Sequence, residues 1–188
     1  DPVAIETKGI GAAEFEVLLY EFKDGLNRYL QDSAAPVGSL AALIEFNSAH
    51  ADTVMPWFGQ ELLLQSQAKG PLTERAYRQA RERARRLAGP RGIDAALKQH
   101  RLDALLAPTN GPAWVTDHVN GDHFGGGSST LPAVAGYPNI TVPAGQVQGL
   151  PVGISFFGAA WSEAKLIAIA QAYEQASRAR RAPQLGPG

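Results

Sequence analysis

The chain contains no cysteine. That single absence excludes disulfides, thiolate metal ligands and a cysteine nucleophile. It leaves the redox compartment open, because a protein without thiols is stable in any. There is also no apolar run approaching the about 18 residues that mark a membrane-spanning helix. Neither sign of charge dominates: 17 Lys and Arg against 18 Asp and Glu give a formal net charge of −1. Global charge therefore draws the chain neither to nucleic acid nor to an anionic membrane. Internal repeats, low-complexity tracts and a linker long enough to divide the chain are absent too. What is there, 188 residues with 45% hydrophobic and 19% charged, suits one soluble globular unit with a full core. The chain opens Asp1-Pro2-Val3 without a charged-then-apolar leader, so any targeting signal is expected upstream of it.

Residues 1–100 read as mainly helical. Phe15, Leu18, Leu19, Phe22, Leu26, Tyr29 and Leu30 recur at helical spacing and predict one long helix with that stripe buried. Gly25 inside it costs about 1 kcal/mol relative to Ala, so the helix relies on packing. Ser39 is placed to cap a second helix that buries Leu40, Leu43 and Ile44. A short helix is expected through Glu61–Gln67, ended by Gly70-Pro71, and Thr73 is placed to cap the next, with Glu74 in its first turn and Tyr77, Ala80, Ala84 and Leu87 as its apolar stripe. Arg75, Arg78, Arg81, Arg83, Arg85 and Arg86 fill its other faces. With no interleaved aromatics, they read as a solvated face pairing with Glu74, Glu82 and other carboxylates rather than as a nucleic-acid surface. Gly89-Pro90 should end this helix, and a shorter one follows to His100.

Residues 101–177 hold the strands. Leu102 to Ala107 is a first strand, stopped by Pro108-Thr109. Segments near 140–143 and 152–157 are two more, joined by a polar turn too short for a parallel crossover and so paired antiparallel. A helix opening at Ser162 should set Leu166, Ile167, Ile169, Ala170 and Tyr173 against that sheet. Between the first strand and the second lies a loop from Pro108 to Thr130. An irregular segment of that length in a compact domain is functional or disordered, and Trp114, His118, His123 and Phe124 suit an ordered loop that lines a pocket.

Several motifs in this loop suggest chemistry and fail on spacing. Asp117-His118 and Asp122-His123 supply two carboxylates and two imidazoles, but their spacing matches no usual metal-ligand pattern, and no metal is expected. Gly125-Gly126-Gly127-Ser128-Ser129 resembles an anion-binding backbone nest. It lacks the Gly-Lys-Ser/Thr ending of a phosphate loop and the acidic residue of a dinucleotide fold. No cofactor is expected.

The segments LDALLAPT, LPAVAGYPNITVPAG, GLPVGISFFG and SEAKLIAIAQAYEQ, in that order and spacing, resemble the C-terminal block of the amidase signature hydrolases. Residues 15–100 match that family more weakly, with Phe15 to Leu30 resembling the helix that precedes its substrate-binding insertions. FEVLLYEFKDGLNRYL and FNSAHADTVMPWFGQELL, with the Asp-His loop, are most similar to its peptide amidases. The resemblance implies the C-terminal part of an α/β/α fold, a mixed sheet covered by helices on both sides. It implies a parent that hydrolyses amides through a Ser–cis-Ser–Lys triad, none of which is in this chain. Ser128 and Ser129 are not followed by the family's Gly-Gly-Ser-Ile-Arg-like run, and no lysine stands in an upstream strand. They are therefore read as pocket residues rather than nucleophiles.

Thr109, Asn110, Trp114, His118, Phe124, Ser128 and Ser129 are accordingly expected to surround one concavity as substrate-binding residues. The expected partners are a small-molecule or peptide amide and the protein's own N-terminal half; nucleic acid and membrane are not expected. Two other readings stay open: a stand-alone module binding an anion at Gly125–Ser129, and a structural piece completing another chain's sheet.

Overall fold

A computed structural model describes residues 2–183. They form two compact units, one of residues 9–84 and one that takes in residues up to Lys8 and from Arg85 onward.

The first unit is helical. It begins with α1 (Ile10–Asp32), α2 (Leu40–Ala49), the single turn α3 (Ala51–Val54) and α4 (Glu61–Gln67). It also holds the first ten residues of α5 (Arg75–Ala88). Ser39 caps α2 as expected, its hydroxyl accepting from the Ala42 N–H at 3.2 Å. Only Leu40 of that helix is fully buried, while Leu43 and Ile44 are half-buried. The α1 stripe also needs correction. Its buried residues are Ile10, Ala13, Leu19, Tyr20 and Leu30, whereas Phe15, Leu18, Phe22 and Tyr29 are exposed. The core line is rotated toward Tyr20, whose hydroxyl explains the shift. It donates to Glu74 at 2.6 Å, and Tyr77 donates to Glu21 at 2.6 Å, with the two rings 5.6 Å apart. Lys69 completes this group, pairing with Glu16 at 2.8 Å and lying over the Tyr20 ring. Lys23 caps the far end of α4 through the carbonyls of Gln67 and Lys69.

α5 starts at Arg75, and the Arg78 N–H donates to the Glu74 carbonyl at 3.2 Å, so Glu74 rather than Thr73 stands at its cap position. Among the described residues its arginines do not form the expected ion pairs. None of them takes part in the ion pairs Arg28–Asp24, Lys69–Glu16 and Lys165–Asp103.

In the second unit, Gly89-Pro90 does not end the helix. A π-helical turn, Gly89–Ile93, carries the chain into α6 (Asp94–His100). Proline lacks an N–H and its ring crowds the carbonyl four residues back, and a widened turn relieves both. Tyr137 fixes this corner by donating to Asp94 at 2.7 Å. Then come β1 (Leu105–Pro108), the loop, α7 (Thr130–Ala135), β2 (Asn139–Val147), β3 (Leu150–Phe157) and α8 (Glu163–Ser177). The first strand starts at Leu105 and not at Leu102, whose N–H instead closes α6 by donating to the Leu97 carbonyl at 2.9 Å. The sheet order is β1-β3-β2, both pairings antiparallel. The hairpin expected between the two late strands is present, with β2 longer than its apolar core because Gln148 and Gly149 make a two-residue turn. Both have positive φ, the geometry whose twist matches the flanking strands.

α8 covers one face of the sheet, Leu166 and Ala170 packing with Val142 and Phe156, and Ile140, Ile154, Ile169 and Tyr173 around them. Ile167 is exposed instead, since one residue in a helix turns the side chain by about 100° away from the Leu166 line. The class is the α/β one expected from the sequence, here a three-stranded antiparallel sheet with helices.

Hydrogen bonding to Glu74, then burial, raises the Tyr20 phenol from 10.0 to about 12. A raised phenol contributes stability that is complete below its unfolded value and lost as pH climbs toward the folded one. Tyr20→Phe should therefore lower the thermal midpoint at neutral pH and flatten the loss of stability between pH 10 and about 12. Melting curves across that range with an unchanged slope would contradict this role.

Candidate functional site

β1 ends at Pro108, yet its pairing continues: the Thr109 N–H donates to the Gly153 carbonyl at 2.9 Å. Directly opposed residues of neighbouring strands point to the same face. Ser155 opposes Ala107 on one side and Thr141 on the other, and one step along β3 from Phe156 puts it on the face away from α8. Three hydroxyls meet there. Thr109 Oγ1 lies 2.8 Å from Ser155 Oγ, Thr141 Oγ1 lies 2.9 Å from Ser155 Oγ, and the two threonine oxygens are 3.4 Å apart. Ser155 is completely buried. The cluster needs glycine at position 153, where a Cβ would stand 2.8 Å from Thr109 Oγ1 and 2.9 Å from Thr141 Cγ2. These hydroxyls satisfy one another and, among the described residues, have no side-chain base as a partner. Thr141 and Ser155 are not among the residues the sequence pointed to. The available signal was a lone serine in the otherwise apolar run Val152–Phe157.

The loop after Thr109 is irregular as expected, and it is folded on itself in three tiers. At its base Asn110 and Gly127 form an antiparallel bridge, and the Ser128 N–H donates to the Thr109 carbonyl at 3.2 Å. At its tip the Asp117 carboxylate accepts from the backbone N–H groups of Val119 and Asn120 at 2.8 and 2.9 Å, and from the Asn120 side chain at 2.8 Å. Those bonds, led by the one from the Asn120 backbone, hold Asp117 below the usual carboxylate range. Midway, Trp114 Nε1–H donates to Asp122 Oδ1 at 3.0 Å, and the Trp114 and Phe124 rings meet edge to face, centroids 6.4 Å apart.

The expected residues are thus distributed along the loop. Thr109, Asn110 and Ser128 meet at the base, and Trp114 and Phe124 meet midway. His118 is exposed at the tip, while Ser129 stands exposed at the start of α7 and its side chain caps nothing. Ser128 is 8% exposed, and its Oγ is buried without a hydrogen-bond partner. Both Asp-His aspartates have other employment, Asp117 in the tip turn and Asp122 on Trp114. Among the described residues no group of three or more His, Asp or Glu gathers as a metal ion would need. No described helix is long and apolar enough to cross a membrane. A cavity of about 420 Å³ lined by Asp94, Lys98, Asp103, Ser162 and Lys165 uses none of the expected residues.

The two buried serines should respond oppositely to truncation. Ser155→Ala removes the centre of the hydroxyl cluster and should cost about 1–3 kcal/mol. Ser128→Ala removes a hydroxyl that has no partner and should leave stability within about 0.5 kcal/mol of the parent or raise it. Denaturant unfolding of the two variants gives the comparison, and the reverse ranking would contradict the assigned contacts.

Residues 9–167 match the family model described as Amidase. A probable amidase of Arabidopsis thaliana is 36% identical over 183 residues, an alignment covering 94% of this chain and 31% of that protein. Among solved structures, the peptide amidase PAM in complex with the competitive inhibitor chymostatin is 55% identical. It superposes with a TM-score of 0.92 over 98% of this chain and 38% of its own. The native peptide amidase from Stenotrophomonas maltophilia is 54% identical with a TM-score of 0.88, over 97% of this chain and 37% of its own. An amidase family protein from Bacillus anthracis is 30% identical with a TM-score of 0.77, over 98% and 33%. The chain spans about a third of the length of these relatives, and it belongs to the amidase signature family.

Proposed function

We propose that this chain is the C-terminal portion of an amide hydrolase and supplies sheet, covering helices and the substrate side of the pocket. The observation that carries the reading is the 55% identity and TM-score of 0.92 to a peptide amidase over 98% of the chain. In the proposed division of labour the Ser–cis-Ser–Lys triad lies in the part of a family-length protein that precedes these residues. There the nucleophilic serine attacks the amide carbonyl, the lysine takes its proton through the bridging serine, and water hydrolyses the acyl-enzyme. Backbone N–H groups stabilise the oxyanion. Within this chain, Thr109, Asn110, Trp114, His118, Phe124, Ser128 and Ser129 face the substrate, a small-molecule or peptide amide.

The partner in this reading is the protein's own N-terminal half. In the order β1-β3-β2 both outer strands have one side without a strand neighbour among the described residues, and such edges favour pairing with further chain. Ser128 and Ser129 support pocket roles better than nucleophilic ones: the Oγ of one is buried without a basic partner, and the other starts a six-residue helix that its side chain does not cap.

The test is hydrolysis of a peptide amide by the 188-residue chain alone and by the chain mixed with the preceding part of a family member. The chain alone should give no turnover, since in this reading it lacks the nucleophile's own loop and the oxyanion donors that leave residual catalysis in triad-deleted hydrolases. The mixture should restore it. Turnover by the chain alone that vanishes on Ser128→Ala or Ser129→Ala would overturn the reading.

A further inference from the structure

The middle tier of the loop holds an arrangement that neither the turn at its tip nor the bridge at its base requires. Trp114 and Phe124 stand at an interplanar angle of 66°, so their faces form two walls of an apolar corner. Phe124 is 63% exposed although it is among the largest apolar side chains of the loop. Aromatic pairs stabilise most where they also remove area from water, and this one is formed at the surface, where little is removed. The indole has a single polar atom, and it is committed. Its Nε1–H donates to the Asp122 carboxylate, a charge-assisted bond of the stronger kind. The ring cannot rotate out of the corner without breaking that bond. The two aspartates of the loop thus have separate tasks: Asp117 shapes the turn at the tip, and Asp122 holds the indole.

We infer that Trp114 and Phe124 form a subsite for a bulky apolar side chain of a peptide amide, and that Asp122 is the positioning residue that holds the Trp114 ring for it. The choice of a peptide amide rests on the amide-hydrolase reading above; the corner itself does not. Two rigid aromatic walls favour an aromatic or branched side chain over glycine, because each contributes contact area at little cost in side-chain freedom. The corner rides on a loop whose base is tied to the sheet through Thr109 and Asn110, so its position is set by the strands rather than by the loop alone.

The test is a binding titration on the full chain labelled with ¹⁵N, following the Trp114 indole N–H signal, identified by its loss in Trp114→Phe. N-acetylphenylalaninamide should shift that signal and N-acetylglycinamide should not. Asp122→Ala should weaken binding by about fivefold, the order of one aromatic contact. Asp122→Asn, whose side-chain oxygen still accepts, should stay close to the parent. Phe124→Ala, which leaves the Asp122 bond in place, should weaken binding as Asp122→Ala does, and it decides the matter if Asp122→Ala disturbs the loop. Equal response to both amides, or no effect of either Asp122→Ala or Phe124→Ala, would overturn the subsite. Binding of the aromatic amide without hydrolysis in the reconstituted mixture would instead leave the subsite standing and sink the amide-hydrolase reading.

Discussion

The absence of a side chain at Gly153 is the constraint on which the loop region depends. It lets Thr109 approach the middle of β3, donate its N–H to the Gly153 carbonyl and set its hydroxyl beside Ser155. The carbonyl of Thr109 in turn receives the Ser128 N–H on the loop's return. Thr109 therefore joins the end of a strand, a hydroxyl cluster centred on the buried Ser155 and both ends of a long loop. Gly153→Ala would force apart groups that now stand in contact, and the base of the loop would lose its anchor.

Much of the fold was legible because it is local. The Ser39 cap, the β2–β3 hairpin and the Leu166–Ala170 side of α8 follow from patterns within a few residues. What the sequence did not disclose depends on contacts across the chain. The α1 core line turned toward Tyr20 because of Glu74, 54 positions away, and periodicity alone could not choose between two adjacent stripes. Gly89-Pro90 read as a break, since proline usually ends a helix, but a widened turn absorbed it. At the candidate site the loop's extent and its aromatic residues were apparent. The Thr109–Ser155 contact, separated by 46 positions, and the engagement of Asp122 by Trp114 were not.

Charge in this chain is locally segregated. Six arginines crowd α5 without an ion pair among the described residues, while the net charge remains −1. In the unit of residues 9–84, phenol–carboxylate bonds and one lysine take the place that arginine–carboxylate pairs were expected to fill. Such bonds tie α1 to the start of α5 and to the α4–α5 segment. The Tyr20 phenol among them stays protonated until pH approaches about 12, so this link persists through neutral pH.

The central claim, that these residues serve as the C-terminal portion of an amide hydrolase, is tested most directly by exchange. The corresponding portion of the Stenotrophomonas maltophilia peptide amidase, 54% identical and superposable with a TM-score of 0.88, would be replaced by this chain and peptide-amide hydrolysis measured. The account predicts a folded chimera that releases ammonia from a peptide amide and loses that activity when its own triad serine is changed to alanine. A folded, monodisperse chimera with no hydrolysis of any peptide amide would contradict it.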